Sequence, residues 1–307
     1  MDVEPRLRAF AALAREGSFS RAAEALYVSQ PAVSKHVAAL EAELGTQLVV
    51  RGRLSTTLTP AGQVLADYVL RAEALLMNAR RALAAGADMA TGTLALAASG
   101  IPGTYVLPPL LSRFHEQYPN IEIDFQLSTS GGALEIVRAH RVEIGVVGGL
   151  TVPAELEAEP LVEDDVVLVG PPALGGRRLR ARDLEGLTWI SREEGSATRA
   201  AVETARWQMG LHGVRRLELP TWEAVKLAVA SGGGIATISR FALTLELESR
   251  TLVVLDVPRW RLTRTIAAVT ARDVPLTPPA ERFLALLRET FASSETQTSD
   301  SRAGLRP

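Results

Sequence analysis

Apolar residues recur at helical spacing through the first sixty positions of the chain. Residues 5–16 and the segment SRAAEALY, which begins at Ser20, each place their apolar side chains on one side. Gly17 stands between them and ends the first predicted helix, and Ser18 or Ser20 is the expected N-cap of the second. The pattern predicts two short helices that pack against each other.

The third helical segment has one apolar stripe. Its members recur at steps of four, three and four and are Val33, Val37, Leu40 and Leu44. Ser29 is the expected N-cap, and Pro31 falls in the first turn, where a missing N–H is harmless. Two short helices, a tight turn and this third helix predict a helix-turn-helix. The apolar runs on either side of RGR at 51–53 predict a two-stranded wing.

From Pro60 onward the spacing changes to that of a coiled coil. The residues that follow a 4-3-4-3-4 spacing are Leu65, Val69, Ala72, Leu76, Ala79 and Leu83. A helix over 60–88 is about 42 Å long, and its apolar stripe would be exposed on a single chain. We expect it to pair with its twin in a second subunit. The alternative is a long helix packed on its own domain.

After residue 91 the pattern alternates between strands and helices, which is typical of an α/β fold with parallel strands. The predicted strands are TLALAA, IEIDFQLS, VEIGVVGG, VVLVGPP, LTWIS, RRLELP, GIATIS, LVVLDV and TIAAVTA. The predicted helices cover residues 104–118, 131–140, 197–209, 222–231 and 278–292. The segment 293–307 lacks apolar periodicity and is expected to be disordered.

Composition excludes several functional classes. The chain has no cysteine, which excludes disulfides, thiolate metal sites and cysteine nucleophiles. Its histidines (His36, His115, His140 and His212) show no ligand spacing, so we predict no metal and no cofactor. No apolar run approaches the roughly 18 residues of a membrane span, and the N-terminus lacks a secretory signal pattern. We therefore expect a cytoplasmic protein that does not act at a membrane.

Charge changes the picture only through its placement. The net charge is −2, which argues against a protein that coats nucleic acid indiscriminately. The exposed side of the third helix is nevertheless unusual, because it offers hydrogen-bonding groups without a carboxylate. These are Ser29, Gln30, Ser34, Lys35 and His36. Such a face suits a partner with donors and acceptors of its own; the alternative is the solvent face of a structural bundle.

The segment FAALAREGSFSRAAEALYVSQPAVSKHVAALEAELGTQLVVRGRLSTTLTPAG resembles the LysR-type transcriptional regulators, and the resemblance extends over nearly the whole chain. It implies a winged helix-turn-helix, a long dimerising linker helix and an α/β effector module of two subdomains similar to a type 2 periplasmic binding protein. The stretches YVLPPLLSRF and GSATR are similar to a branch that includes regulators of carbon-fixation and of sulfur or nitrogen assimilation genes.

The resemblance implies a division into four parts. The DNA-binding domain covers 1–59, the coiled-coil linker 60–90, the effector-binding domain 91–292 and the tail 293–307. Within the effector-binding domain, subdomain I covers about 91–163 plus 271–292, and subdomain II about 164–270.

Carried over by position, the resemblance implies a DNA-binding set on the third helix and the wing. Gln30, Pro31, Ser34 and Lys35 would face the major groove, Ser20 and Ser29 would lie nearer the backbone, Arg51 and Arg53 would reach a phosphate or the minor groove, and the Thr59 hydroxyl would contact the backbone. Glutamine can pair with adenine, and lysine with guanine or a phosphate.

Two other stretches are candidates for ligand binding, because each ends a strand and begins a helix. Helix N-termini favour anionic groups, and ligands of open α/β sheets bind beyond the carboxyl ends of the strands. The resemblance places an effector site there, formed by Ser99, Gly100, Thr104, Thr129, Ser130, Ser196, Thr198 and Arg199. Taken singly, Ser99 or Ser196 fits a helix cap better than a ligand contact, and it is their joint position that favours the site.

These residues predict a sequence-specific transcription regulator that is not an enzyme and that responds allosterically to a small anionic metabolite. Its expected partners are double-stranded DNA with a dyad-symmetric operator and further copies of itself, as a homodimer through 60–90 and a homotetramer; RNA polymerase is a further candidate. The alternative is a solute-binding or enzyme-like α/β protein with a structural N-terminal module. The run Gly232–Gly234 fits a tight helix-to-strand turn better than a nucleotide site.

Overall fold

The structure, a computed structural model, describes residues 4–52, 56–84, 91–149, 151–192, 197–211, 215–272 and 274–303. Within these residues, no helix is both long enough and apolar enough to cross a membrane.

Three helices form the front of the chain: α1 (Pro5–Glu16), α2 (Phe19–Leu26) and α3 (Gln30–Leu44). α1 ends as predicted, where Gly17 adopts a left-handed conformation with φ of 64°. The most deeply buried side chains of their shared core are Phe10, Leu13, Val33 and Val37. Leu44 is 48% exposed, so its place in the buried stripe was predicted wrongly. The core that α3 shares with α1 and α2 ends at Leu40.

A two-stranded antiparallel ribbon follows, formed by β1 (Val49–Arg51) and β2 (Thr56–Leu58), which confirms the predicted wing. Glu41 ties this ribbon to α3. Its carboxylate accepts hydrogen bonds from the backbone N–H groups of Leu48 and Val49, at 2.8 and 3.2 Å. The wing is therefore positioned by α3, the helix that also carries the predicted DNA-binding residues on its exposed side.

The long helix α4 (Pro60–Ala84) begins at the TPAG junction. Gly62 is required there, because a Cβ on this residue would lie 2.0 Å from the carbonyl oxygen of Leu48. Glu73 forms an ion pair with Arg15 of α1. α4 is thereby held against the front helices over its first half.

The predicted coiled-coil seam of α4 is only partly open. Val69 is 5% exposed, whereas Leu83 is 76% exposed. A neighbouring apolar stripe, formed by Val64, Tyr68 and Leu75, is also exposed. One side of the predicted seam thus packs on its own chain, and the exposed apolar surface is rotated from it. The last predicted part of the linker, 85–90, lies outside the described residues.

Subdomain I begins with a parallel three-stranded sheet, as predicted, and its strand order is β4-β3-β5. Its elements are β3 (Gly92–Ser99), α5 (Leu107–Gln117), β4 (Ile121–Ser128), α6 (Ser130–Arg138) and β5 (Ile144–Gly148). A π-helical segment, Pro102–Val106, leads into α5. All three strands direct their carboxyl ends to the same edge of the sheet.

Subdomain II continues the sheet in the order β6-β9-β7-β8, with β10 also paired to β6. Its elements are β6 (Leu156–Gly170), α7 (Ala181–Leu184), β7 (Thr188–Ser191), α8 (Ala197–Gln208), β8 (Arg215–Glu218), α9 (Trp222–Ala230), β9 (Ile235–Ser239), α10 (Thr244–Glu248) and β10 (Val253–Val254). α7 and α10 were not predicted, because each is about one turn long and too short to show a period.

The chain returns through β11 (Thr263–Ala271), which pairs antiparallel with both β5 and β6. Residues 263–271 therefore belong with subdomain I, and the predicted return at 271 is corrected to about 263. The alternating pattern of TIAAVTA identifies a strand, but it cannot show which strand is its neighbour.

β6 is twice as long as predicted. Its first half pairs with β11, and its second half pairs with β9 and β10. The pattern LEAEPLVEDD conceals the first half, because acidic residues and Pro160 interrupt the apolar alternation. Pro160 lies where the register with β11 shifts, which is a position that tolerates proline.

The closing helix α11 runs Pro278–Ala303, eleven residues beyond its predicted end at 292. No proline or glycine stands between 293 and 303 to stop it, so the predicted boundary of the tail is corrected. Phe283 and Leu287 of α11 are fully buried in the core of subdomain I.

Candidate functional site

The exposed side of α3 begins at the N-terminal end of that helix. Ser29, Gln30, Pro31 and Lys35 are exposed, and Ser34 is half-buried. Ser29 precedes the helix without accepting a capping hydrogen bond on its side chain. The opposite side of α3 is locked into the core, so the polar side is presented at a fixed angle.

The acidic groups at the far end of α3, together with Glu4, already have partners. Glu41 is bound to the backbone of the wing, and Glu43 and Glu4 are both paired with Arg6. The hydrogen bond from Arg6 lowers the pKa of Glu4. Within the sequence from 29 to 40, Lys35 is the only residue with a formal charge. The surface suits a partner rich in hydrogen-bond acceptors.

The other predicted DNA-binding residues have different outcomes. Ser20 is exposed in the first turn of α2. Arg51 is the last residue of β1, and the structure describes its backbone only. Arg53 lies outside the described residues. Thr59 is a helix cap: its hydroxyl donates to the carbonyl of Gln47 at 2.7 Å and accepts from Gly62 N–H at 3.0 Å. Its only O–H is used, so it cannot also donate to a phosphate.

Tyr27 was missed by the sequence reasoning. It is 96% exposed and occupies the turn between α2 and α3 with φ of 57°, a left-handed conformation that glycine or asparagine usually takes. The signal was an aromatic residue at the expected C-cap of a helix. It precedes Ser29, the N-cap of α3, by two positions.

A second polar site lies at the carboxyl ends of the strands in subdomain I. Ser99 ends β3 and is 5% exposed, and its hydroxyl makes no hydrogen bond to a described residue. Thr129 caps α6 by accepting from Gly132 N–H at 3.0 Å. Ser130 donates to the carbonyl of Gly148, at the end of β5, at 3.4 Å. The strand register therefore brings these three hydroxyl groups to one edge, as predicted.

The facing wall belongs to subdomain II, and two of its residues, Arg192 and Trp222, were not predicted. A Cβ built on Gly100 would lie 3.8 Å from Nε1 of Trp222 and 3.9 Å from Nη1 of Arg192. The guanidinium of Arg192 stacks 5.7 Å from the centre of the Trp222 ring. These two residues follow different strands and are thirty positions apart, so sequence spacing gave no signal for them. Hydroxyl groups on one side and a guanidinium on the other suit an anionic group.

The remaining predicted ligand residues are less well placed. Thr104 is exposed in the π-helical segment. Arg199 is bound to Glu218 at 2.9 Å and to Glu203 at 3.5 Å, so its charge is already compensated. Ser196 lies outside the described residues, and the side chain of Thr198 is outside the description.

The space between these two walls is a cleft, and one hydrogen bond crosses it to join the two subdomains. Tyr105, in the π-helical segment, donates to Oε1 of Glu223 on α9 at 2.6 Å. Lys226 lies 5.1 Å from the centre of the Tyr105 ring and 2.8 Å from Glu246. Burial, supported by the bond to Glu223, raises the pKa of Tyr105, so this hydroxyl keeps its proton and can donate.

A buried ion pair lies beneath the cleft, where β6 passes from one subdomain to the other. Asp164 is fully buried; it accepts from Nε of Arg264 at 2.9 Å and from the hydroxyl of Ser239 at 2.7 Å. Burial raises the pKa of Asp164, while Arg264 and Ser239 act in the opposite direction. Among the described residues, no three His, Asp or Glu side chains lie close enough to hold a metal ion.

Comparisons with known proteins identify the two modules that carry these sites. Residues 5–63 match the family described as bacterial regulatory helix-turn-helix protein, lysR family. Residues 87–292 match the LysR substrate binding domain. The two matches cover the front module and the cleft-bearing module respectively.

Individual relatives of the chain are transcriptional regulators by name. The HTH-type transcriptional regulator CysL of Bacillus subtilis is 31% identical over 94% of this chain and 97% of its own. A probable RuBisCO transcriptional regulator of Synechocystis is 34% identical over 86% of this chain and 79% of its own. The regulatory domain of Synechocystis CcmR, solved in complex with 2-PG, is 26% identical and superposes with a TM-score of 0.60 over 65% of this chain and 97% of its own.

The buried pair supports one prediction. Replacing Asp164 with Asn removes the buried carboxylate charge that Arg264 and Ser239 share, which we expect to cost about 3–5 kcal/mol of unfolding free energy. The matched control is Glu159→Gln, also on β6, because Glu159 pairs with Arg288 at the surface at 2.6 Å and should cost about 0–1 kcal/mol. Denaturant unfolding of both variants measures the difference; equal losses would contradict the role given to Asp164.

Proposed function

The chain belongs to the LysR family of bacterial transcription regulators, and on that premise we propose how its residues perform the two tasks of such a regulator. The protein is a DNA-binding transcription regulator with an effector-binding domain and is not an enzyme. We propose that α3 reads base edges in the major groove and that an anionic group of a small metabolite binds in the cleft. The observation that carries the proposal is the carboxylate-free polar side of α3.

The DNA-reading set consists of the exposed residues at the start of α3. Gln30, Ser34 and Lys35 offer donors and acceptors at the end of the helix that a helix-turn-helix directs at the bases. Pro31 lies in the same first turn of α3. We expect the hydroxyl groups of Ser20 and Ser29 to contact phosphates of the DNA backbone. Arg51 and Arg53 belong to the wing, which Glu41 holds beside α3. A dyad-symmetric operator follows if two such modules bind together.

The effector site consists of Ser99, Gly100, Thr129 and Ser130 on one wall, with Ser196 and Thr198 proposed for the facing helix. Arg192 and Trp222 are added because they lie opposite Gly100. Thr104 and Arg199 remain at the margin of the site, the second with its charge compensated. A buried hydroxyl at a strand end, facing a guanidinium, favours a carboxylate, phosphate or sulfate.

Self-association is proposed through the linker. The exposed stripe of Val64, Tyr68 and Leu75 is continuous with Leu83, and a solvent-facing apolar surface of this kind favours pairing with a second copy. A homodimer through 60–90 and a homotetramer through the effector-binding domains complete the assembly, which we place in the cytoplasm. RNA polymerase is a candidate partner of this assembly on DNA.

Regulation requires a ligand that favours one arrangement of the subdomains. A difference of about 1–3 kcal/mol in affinity between two arrangements is sufficient for such coupling. The bond between Tyr105 and Glu223 crosses the cleft, so it is one contact that a change of angle would alter. The angle between subdomains would then set the spacing of the DNA-binding pairs.

Alanine substitution tests the DNA-reading set. We expect Gln30→Ala and Ser34→Ala each to weaken binding to the operator by about 1–3 kcal/mol, because a base-edge contact is lost. Binding to scrambled DNA should change far less. Gln117→Ala, an exposed glutamine at the end of α5, is the control and should affect neither. Fluorescence titration at fixed salt measures the dissociation constants for the operator and for scrambled DNA. Equal losses of affinity on the two DNAs would contradict the assignment of these residues to base reading.

A double substitution tests the cleft. We expect Ser99→Ala with Ser196→Ala to abolish the change in operator affinity that a panel of small carboxylates, phosphates and sulfates produces, while affinity without them stays unchanged. Ser112→Ala, on the exposed side of α5, should respond like the natural protein. A double variant that still responds would show that the effector binds elsewhere.

A further inference from the structure

A separate cavity of about 30 Å³ lies beneath α8, between this helix and the sheet of subdomain II. Its walls include Trp189 of β7, Thr237 of β9 and Arg206 of α8. Arg192 and Trp222, which face Gly100 across the cleft, line it as well. The cavity therefore adjoins the proposed effector site, but its inner wall was not part of any motif in the sequence.

Three buried polar atoms of this wall have no hydrogen-bond partner in the described part of the chain. They are Nε1 of Trp189, Nε of Arg206 and Oγ1 of Thr237, on residues that are 3%, 5% and 6% exposed. The first two can only donate. Buried donors are nearly always satisfied in folded proteins, by a protein group or by something bound.

The charge of Arg206 is also uncompensated. Its guanidinium lies 5.1 Å from the centre of the Trp189 ring and donates one hydrogen bond, from Nη2 to the carbonyl of Leu211 at 3.2 Å. Within the described residues it has no carboxylate at ion-pair distance. Burial lowers the pKa of Arg206, but a guanidinium stays protonated in proteins. A buried charge of this kind calls for a counter-charge.

The neighbouring charges largely offset one another and do not pair with Arg206, since Arg199 is also bound to Glu218 at 2.9 Å. Arg199 and Arg216 also line the cavity, and Glu203 is the one carboxylate among the described lining residues. Glu203 is shared between these two arginines, at 3.5 and 3.1 Å. An ordered water would satisfy the free donors, but it would leave the positive charge uncompensated.

We propose that this cavity is an oxyanion subsite, in which Arg206, Trp189 and Thr237 bind the oxygens of a carboxylate, phosphate or sulfate group. The proposal rests on the proposed function, since it extends the effector site inward under α8. The cavity volume of about 30 Å³ is two to three times the roughly 10–15 Å³ that one water needs on the same measure, so the subsite takes one small acidic group and not a whole metabolite. That group is either a free inorganic anion or a second acidic group on the effector.

Thermal unfolding of the full-length protein, free of DNA, tests the subsite. At constant ionic strength we titrate inorganic sulfate and phosphate against chloride, and succinate against its half-amide, succinamate. A ligand that binds only the folded state raises the unfolding midpoint. Stabilisation by sulfate or phosphate identifies a free anion as the occupant. Stabilisation by succinate but not by succinamate identifies a second acidic group.

Two substitutions assign the effect to the cavity. Arg206→Met should weaken the binding of the stabilising anion by about tenfold or more, since a charge-assisted contact is removed. Thr237→Val keeps the shape of the side chain and should weaken it several-fold, which protects the test if the first variant fails to fold. The control is Arg215→Met, which removes the same charge from an exposed position next to Arg216 and should bind anions as the natural protein does.

Two results would overturn the proposal. One is a natural protein that none of these anions stabilises. The other is a set of variants in which Arg206→Met and Thr237→Val bind as well as Arg215→Met. Neither result affects the proposed function, because the cleft is tested separately through Ser99 and Ser196. A cleft variant that loses its response beside subsite variants that keep theirs would reject the subsite alone.

Discussion

The ion pair between Asp164 and Arg264 lies where β6 leaves β11 and begins to pair with β9, and both subdomains depend on it. Asp164 is fully buried and is bonded at the same time to Arg264 on β11 and to Ser239 at the end of β9. A buried carboxylate tolerates only arrangements that keep such partners. The pair therefore opposes separation of the two subdomains at the point where the chain crosses between them.

Charge placement, and not net charge, determines what each end of the molecule can bind. In the front module, Arg6 forms ion pairs with Glu4 and Glu43, and the backbone of the wing donates to Glu41. The polar residues at the start of α3 therefore have no unpaired carboxylate of that helix beside them. In the effector-binding domain, hydroxyl groups of subdomain I face guanidinium groups of subdomain II. A chain with a net charge of −2 can thus present two surfaces suited to anionic partners, one for a duplex and one for a small acid.

Local features of the chain could be predicted from the sequence. The bounds of α1 to α3, the start of α4, the wing and the parallel pairing of β3, β4 and β5 follow from apolar spacing, glycines and caps. Features that depend on long-range register could not. Asp164 and Arg264 are one hundred positions apart, and the partner of β11 and the first half of β6 required the assembled sheet. Among the residues proposed for the sites, Ser99 and Thr129 could be predicted because helix starts are visible in sequence, whereas Arg192, Trp222 and Arg206 could not. Thr59 shows the ambiguity of such a signal, because a capping threonine and a phosphate-binding threonine have the same local sequence.

The central claim is that a small anion in the cleft changes how paired α3 helices lie on DNA. The most direct test is a footprint of the purified protein on the DNA upstream of its own gene, across a salt series and with a panel of small anionic metabolites. The account predicts a dyad-symmetric protected region that shortens or shifts with one class of anion. Protection that is equal on unrelated DNA, or that no anion alters, would contradict it.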